Sequence, residues 1–258
     1  MVTMRTTHVL GCLMGIALLG TVARGQEAEP QFDPLGEQVE APRLVRVMAE
    51  FVDLPHEDLT KLLTDRRISA NDTELRKKVQ ELVLTGAAFI VETMICTAPS
   101  GNRATTESIQ EFIYPTEYEP AHIPASTHVT AAGITVKSED PDNSTGPTPT
   151  AFDTRNIGST LEIEPTMSSD HKVIQLRMVP EIVYHLSDKV WSEWFGNQGD
   201  ASMKMPLFYS MRVTTSVTMM SGQTLLVAAL SPKGPDGMPD STRKVMVFVR
   251  CDVLEVGR

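Results

Sequence analysis

The chain has 258 residues, a formal net charge of −10 and a hydrophobic content of 41%. This length and apolar content suffice for one sizeable globular domain or two small ones. The acidic balance argues against nucleic acid as a partner, because nucleic-acid-binding proteins present a basic surface, and it suits a soluble periplasmic surface.

Residues 1–25 have the pattern of an export signal. Arg5 supplies a positive charge, Val9 to Val22 is an apolar run, and Ala23-Arg24-Gly25 offers small residues for cleavage before Gln26. The run is shorter than the roughly 20 apolar residues of a spanning helix. A retained membrane anchor and a lipoprotein site at Leu10-Gly11-Cys12 are the alternatives. The signal predicts an exported protein that is periplasmic or associated with the outer membrane.

The region after the signal predicts a leader, a strand and a short helix. Residues 26–44 are polar and contain several prolines, which is typical of a flexible leader. Val45 to Val52 alternates in part and predicts a strand. Pro55 can begin a helix, because its missing N–H is not needed in a first turn. That helix has an apolar side made by Leu59, Leu62 and Leu63.

A second helix is marked at both ends. Asn71 or Asp72 can cap its start, and Gly86 stands where a left-handed C-terminal cap is expected. Its apolar residues recur with the 3.6-residue helical period: Leu75, Val79, Leu82 and Val83. We expect this stripe to pack on a sheet.

The next segment predicts a hairpin followed by a loop. Ala87 to Ala98 is an apolar strand, Pro99 to Asn102 is a turn signal, and Arg103 to Tyr114 is predicted to be the returning strand. Residues 115–150 are rich in proline, which removes ladder donors, so most of this stretch is predicted to be loop. Val129 to Lys137 could form a brief hairpin or an edge strand.

The last hundred residues predict an antiparallel β-meander. Val213, Val217 and Met219 alternate with polar neighbours, as in a half-buried strand. Ser221-Gly222 is the turn that leads to the next strand. With the two helices packed near the first strand, the predicted fold class is α+β, mostly β.

Two cysteines remain after the predicted signal, Cys96 and Cys251, and both lie in predicted strands. In an oxidising compartment they could form one disulfide. The alternative is two buried small apolar residues.

The sequence contains none of the common motifs of catalysis. The sequence contains no His-Glu-x-x-His, no nucleophile elbow, no phosphate-binding Gly-rich loop and no dinucleotide fingerprint. The sequence therefore predicts no enzyme activity, no cofactor and no metal site. The aromatic group Trp191, Trp194 and Phe195 could lie at a membrane interface, bind a partner, or fold back onto the domain.

Several strand motifs, in this order, resemble the C-terminal homology domain of bacterial secretins, which form outer-membrane rings in type II and III secretion and type IV pilus machines. The resemblance covers about residues 45 to 255. It is carried by Met94 to Pro99, Glu111 to Tyr118, Ala151 to Pro165, Val213 to Val217, Ser221 to Thr224, and Val247 to Arg250. Cys251 stands where the family usually has proline.

The resemblance implies a subunit or accessory of an outer-membrane secretion or pilus assembly that works through strand-mediated oligomerisation. Its implied partners are further copies of the chain and other envelope components. The residues it assigns to assembly and structure are Gly158, Leu161, Pro165, Arg212, Val213, Thr215, Val217, Gly222, Gln223 and Thr224.

Two departures from the family support a different expectation. Pore-building members carry N-terminal ring domains, whereas about 20 residues lie between the predicted cleavage and Val45. The apolar membrane-inserting segment of the family is replaced by the short, polar Ser231 to Asp240. We therefore expect the lone protein to contact the membrane peripherally or through a partner. The alternative function is a stand-alone periplasmic binding or structural protein that kept the fold without forming a pore.

Overall fold

The computed structural model describes residues 43–64, 69–122, 126–130, 133–137, 145–196, 199–234 and 236–255. The predicted signal and nearly all of the predicted leader lie outside these ranges.

Two helices and thirteen strands occupy the described residues. The first part comprises β1 Arg43–Pro55, α1 His56–Thr64, α2 Thr73–Leu84, β2 Phe89–Pro99, β3 Ala104–Glu119, β4 Ser126–Thr130 and β5 Gly133–Lys137. The second part comprises β6 Thr148–Met167, β7 Val173–Ser192, β8 Phe195–Gly196, β9 Gly199–Asp200, β10 Met203–Arg212, β11 Thr215–Met220, β12 Thr224–Leu230 and β13 Arg243–Glu255. The predicted α+β, mostly β fold class is confirmed.

The long strands form two antiparallel sheets. The smaller sheet has the order β12-β13-β1-β2. The larger sheet has the order β10-β7-β6-β3, and β11 follows β10 along the same side of β7. The pairs β4–β5 and β8–β9 are separate two-stranded sheets.

The main core lies between the two sheets. Alternation along β1 and β13 directs Val45, Val47, Val247 and Val249 inward, and all four are fully buried. The larger sheet contributes buried residues from β6, β7, β10 and β11: Leu161, Ile163, Ile174, Leu176, Met178, Ile182, Met211 and Met219. The inward face of each sheet is therefore apolar, as in a two-layer sandwich.

The two helices cover the other face of the smaller sheet. Leu75 and Val79 of the predicted stripe are buried against Met246 and Phe248 of β13. Gly86 has a φ of +76°, which agrees with the predicted left-handed C-terminal cap. Near the helices, β1 and β13 are consequently buried on both faces, whereas Ile95 of β2 is 50% exposed on the outer face of the sheet.

A charged pair is held within this helix–sheet layer. Glu50 of β1 is 8% exposed and accepts two hydrogen bonds from Arg76 of α2, at 2.9 and 3.0 Å. A buried carboxylate is costly unless it is paired and hydrogen-bonded, and this bidentate contact provides both. The pair therefore fixes the position of α2 on β1.

The predicted hairpin of Ala87–Ala98 with Arg103–Tyr114 is wrong in its pairing. Both segments are strands, and Gly101 has the positive φ of +80° that the turn between them needs. However, β2 pairs with β1, whereas β3 pairs with β6 in the other sheet. The turn therefore passes the chain from one sheet to the other.

The proline-rich region contains more strand than expected. β3 continues past Pro115 to Glu119, with a register shift between Pro115 and Glu117 that accommodates the break in the ladder. β6 already begins at Thr148. The expected brief hairpin near 129–137 is present as β4 and β5.

The alternative in which Cys96 and Cys251 form a disulfide is also wrong. Both thiols are free and buried. They lie on opposite sides of β1, since each is paired with Val47. Two strand spacings are about 9.6 Å, which exceeds the Cα separation of a disulfide. The cysteines act as small apolar residues of the core.

Candidate functional site

In the described part of the chain, few side chains are grouped in a way that is typical of metal binding or catalysis. No group of three or more His, Cys, Asp or Glu residues there could hold a metal ion. One cleft of about 450 Å³ has Glu92 and Tyr184 on its wall. Burial, and to a lesser extent the Glu92 carboxylate, raise the pKa of Tyr184 to about 12. A neutral phenol beside one carboxylate does not provide an acid–base or nucleophile arrangement.

The larger sheet is open at both of its long edges. Within the described residues, no strand pairs with the outer side of β3 or with the outer side of β10 and β11. The sheet is four antiparallel strands wide, with β7 and β6 between its edge strands, so β3 runs antiparallel to β10 and β11. Such edges are templates for pairing with another chain.

The backbone hydrogen bonds identify which residues of β10 and β11 point outward. Val213 N–H donates to the Pro180 carbonyl at 3.1 Å, in register with the β7–β11 ladder. Antiparallel ladders bond every second residue. The N–H groups of Thr215 and Val217 therefore point to β7, whereas those of Arg212 and Ser216 point to the open edge.

The backbone hydrogen bonds also identify which residues of β3 point outward. Ser168 N–H donates to the Val173 carbonyl at 2.9 Å, in register with the β6–β7 ladder. The even-numbered residues of β6 therefore bond to β7 and the odd-numbered ones to β3. Through the β3–β6 register, the odd-numbered residues of β3 present their N–H and C=O groups outward: Thr105, Glu107, Ile109 and Glu111.

The smaller sheet has one protected edge, at β12, while no described strand pairs with the outer side of its other edge, β2. Asp72 accepts a hydrogen bond from Leu226 N–H at 2.6 Å, and Asp72 N–H donates to the Thr224 carbonyl at 2.7 Å. Gln223 also donates to the Ala70 carbonyl. The segment before α2 thus occupies the outer side of β12, where another strand would have to bind.

The structure places the residues assigned by the resemblance in two groups. The first group forms rows across the larger sheet through β7: Leu161 with Val213, Ile163 with Thr215, and Pro165 with Val217. Leu161, Pro165 and Val213 are buried, whereas Arg212 is exposed on the open edge. Most of this group therefore builds the sheet, and Arg212 lies on its open edge.

The second group lies at the crossover from the larger to the smaller sheet. Gly222 has a φ of +80°, and its N–H donates to the Cys251 carbonyl at 2.7 Å. Gln223 accepts from Met220 N–H at 2.8 Å, and Thr224 is 5% exposed. These three residues join the two sheets and lie away from the open edges.

Gly158 marks the point where the larger sheet divides. The β6–β7 ladder ends at the pair Gly158–Val183, whereas β3–β6 and β7–β10 continue as two separate ribbons. Gly158 has a φ of +126°, and a Cβ there would lie 2.1 Å from the Ser108 carbonyl oxygen. Only glycine fits this backbone approach.

An aromatic cluster joins the two ribbons. Phe112 of the first ribbon stacks on His185 of the second with 4.7 Å between ring centroids, and it meets Phe208 edge-on at 5.6 Å. Arg155 lies over the Phe208 ring at 5.2 Å. No local sequence pattern predicts this cluster, because its members are far apart along the chain.

The ends of the ribbons expose apolar side chains. Trp191 and Phe195 are 63% and 75% exposed, and Lys189 lies over the Trp191 ring at 4.7 Å. Trp194 is half-buried. The aromatic group at this tip is therefore divided between surface and interior.

No helix in the described ranges is long and apolar enough to span a membrane.

No protein-family model matches the chain, and no curated protein matches it by sequence. Among solved structures, it is similar to the InvG secretin domain from the Salmonella SPI-1 injectisome, at 13% identity over 84% of this chain and 64% of that one, with a TM-score of 0.42. It is also similar to the type II secretion system secretin GspD of E. coli K12, at 11% identity over 83% of this chain and 50% of that one, with a TM-score of 0.36. A third is the V. cholerae type IV competence pilus secretin PilQ, at 12% identity, 82% and 59% coverage, and a TM-score of 0.34. The chain thus spans about half to two thirds of these structures.

Proposed function

We propose that this chain is a secretin-like envelope protein, a subunit or accessory of an outer-membrane secretion or pilus assembly, and that it works by strand-mediated oligomerisation without catalysis. The observation that carries the proposal is the larger sheet, whose two open edges run in opposite directions. The order of the strand motifs over residues 45 to 255 supports the choice of this class of assembly.

The strand count makes repeated addition possible. Each copy contributes an even number of antiparallel strands across its sheet, so β3 of one copy and β10–β11 of the next meet in the antiparallel orientation. This contact uses two different edges of each subunit. Contacts of this head-to-tail kind generate rings when the rotation between subunits closes.

The protected β12 edge prevents the smaller sheet from adding strands at both of its edges. Asp72 and Ala70 bind the outer side of β12, which leaves the larger sheet as the layer with two open edges. The exposed face of that sheet is polar, with Glu164, Gln175 and Arg177 around a shallow groove. A polar face of this kind suits contact with water in a channel.

The packing of β12 bears on how the protein contacts the membrane. Leu226 packs towards the helices, and Leu225 and Val227 pack into the core between the sheets. The apolar residues of β12 are therefore used inside the protein. We propose that the lone protein is exported, lies in the periplasm or on the outer membrane, and associates with the membrane peripherally or through a partner. Carbonate or urea should release it from membranes, and retention until detergent is added would contradict this.

A second candidate is a stand-alone periplasmic binding or structural protein. It is favoured by the polar loop before β13, which closes on itself through a Lys233–Pro239 bridge. Negative-stain microscopy and light scattering of the purified full chain separate the two candidates. A ring-type particle supports the assembly, and a monomer at all concentrations supports the stand-alone protein.

Proline substitutions test the edge directly. Ser216→Pro removes an N–H group from the open edge, so it should abolish oligomers while the monomer stays folded. Val217→Pro and Thr215→Pro instead remove a bond to β7 and should destabilise the monomer by on the order of 3 kcal/mol, by analogy with a helix interior. Size-exclusion chromatography and thermal melts report the two effects. Unchanged oligomers in the Ser216→Pro variant would contradict pairing at this edge.

A further inference from the structure

We infer that copies of this chain join in one fixed register, in which Glu111 on β3 of one copy lies opposite Arg212 on β10 of the next. This inference rests on the proposed strand-mediated assembly and specifies how the edge strands of two copies pair. The occupant of each open edge is thus a second copy of this chain.

The two open edges carry opposite charge. β3 contains four acidic residues and no basic one: Glu107, Glu111, Glu117 and Glu119. Along the other edge, β10 and β11 contain Lys204 and Arg212 and no acidic residue. Like edges repel and unlike edges attract, so the charge pattern favours head-to-tail addition over a two-fold pair.

Glu111 and Arg212 are both positioned for such a contact. Each belongs to the residues whose backbone groups point outward from its edge. Both side chains project from the face opposite the core, because Glu111 pairs with Asn156 and Arg212 pairs with the outward-facing Glu181. The Arg212 side chain is 58% exposed while it contacts Glu181 at 3.6 Å. Within the described part of the chain, Glu111 has no ion-pair partner.

The backbone restricts the registers that are available. Outward groups occur at odd-numbered residues of β3 and at even-numbered residues of β10 and β11, so only every second register forms hydrogen bonds. In the register that sets Glu111 opposite Arg212, Ser108 lies opposite Thr215. Within one copy, the row across the sheet that ends at Thr215 begins at Ala104, through Ile163 and Met178. Each joint therefore shifts the row by four residues along β3.

A shift of four residues over four strands determines how far the strands tilt from the axis of a closed sheet. At ~3.3 Å per residue and ~4.8 Å between strands, it corresponds to a strand tilt of about 35°. Closed cylinders of strands require a tilt of roughly 35–45°. The register chosen by charge is thus also one that allows the sheet to close.

Three other registers each fail one of two conditions, a strand tilt that allows closure or a favourable charge contact at Arg212. Without a shift, Arg212 lies opposite Glu107, but the strands have no tilt. A shift of six residues gives a tilt of about 46° and sets Arg212 opposite the apolar Ile113. A four-residue shift in the other direction sets Lys204 opposite Glu111 but brings Arg212 opposite Arg103.

Cysteine cross-linking tests the register. Ser108→Cys with Thr215→Cys, in full chain that carries Cys12→Ser, should give ladders of covalent oligomers after mild oxidation. The control pair, Ser108→Cys with Val217→Cys, is out of register and should cross-link at least tenfold less. Cys96 and Cys251 are buried, and burial raises the pKa of the Cys251 thiol to about 12, so this thiol stays protonated. More cross-linking in the control pair would overturn the register.

Charge variants give a second readout. Glu111→Arg should weaken association about tenfold, because it replaces an attraction by a repulsion across the strands. Glu107→Arg changes the same charge on the same strand and face but lies opposite Ser216, so its effect should be less than threefold. Equal losses would overturn the register while leaving strand-mediated assembly intact. If the unmodified chain forms no oligomer at any concentration, the proposed function fails and the register fails with it.

Discussion

The two sheets of this protein differ in how completely other parts of the chain cover their faces and edges. The smaller sheet is covered by the larger sheet on one face and by α1 and α2 on the other, and Asp72 protects its β12 edge. The larger sheet has one covered face, two open edges and strands of up to 20 residues. The smaller sheet therefore has an additional buried layer against the helices, while the larger sheet keeps the backbone groups of both its edges available.

In the proposed assembly, this difference lets one chain be both stable and able to associate. An open edge on a marginal sheet would invite uncontrolled pairing, which natural proteins avoid by shortening, charging or covering their edges. Here the larger sheet is anchored on a well-packed partner, and its open edges are charged. The charges leave pairing possible for an edge of opposite sign.

The largest expected effect concerns the doubly covered sheet. Phe248 is fully buried between β13 and the helices, so Phe248→Ala should lower the free energy of unfolding by about 3–5 kcal/mol. Phe152 on the first ribbon is 60% exposed, and Phe152→Ala should change it by less than about 0.5 kcal/mol. Denaturant unfolding measures both. Similar losses in the two variants would contradict a large contribution of the buried layer between the smaller sheet and the helices.

A smaller effect is expected where the larger sheet divides. Gly158→Ala should destabilise the protein by on the order of 1–3 kcal/mol, because the new Cβ meets the Ser108 carbonyl and the φ of +126° is strained for alanine. Gly101→Ala provides the control, since Gly101 also has a positive φ of +80° but open space around it. Thermal melts should rank Gly158→Ala clearly below Gly101→Ala. Equal melting temperatures would argue that the close approach to Ser108 is unimportant.

The protected edge can be converted into an open one. Asp72→Ala removes the acceptor of Leu226 N–H and should cost about 1–2 kcal/mol. It should also increase association at high concentration, because the outer side of β12 becomes available. Asp72→Asn keeps a carbonyl acceptor and serves as the control. Light scattering and urea unfolding report the two effects, and an unchanged monomer would contradict the protective role of Asp72.

The sequence predicted those features whose signals are local. The stripe of Leu75 and Val79 predicted that α2 packs on a sheet, and this is confirmed. In β12, Leu226 packs towards the helices and Leu225 towards the core between the sheets, as the apolar character of both faces of this strand indicates. In both cases residue periodicity directly reflects which side of an element is buried.

The remaining features depend on contacts between distant segments. The turn at Gly101 shows that the chain reverses but not which sheet the next strand joins. Gly158 was singled out by the resemblance, yet its role requires the approach of Ser108, which no local pattern reveals. The edges themselves are defined by missing neighbours. Their sequence signal is charge: β3 contains four acidic residues and no basic one, whereas β10 contains Lys204 and Arg212 and no acidic residue.

The smallest expected effect concerns the contact between the ribbons. Phe112→Ala removes a stacking contact with His185 and an edge contact with Phe208, each worth about 0.5–1.5 kcal/mol locally. Because the ribbons extend beyond the sandwich core, global unfolding should change little. Hydrogen exchange should instead become about fivefold faster in β7 and β10 beyond the Gly158–Val183 pair. Ile113→Ala is the matched control, since Ile113 is adjacent, 64% exposed and on the opposite face of the ribbon. Equal exchange in the two variants would show that the aromatic cluster does not hold the ribbons together.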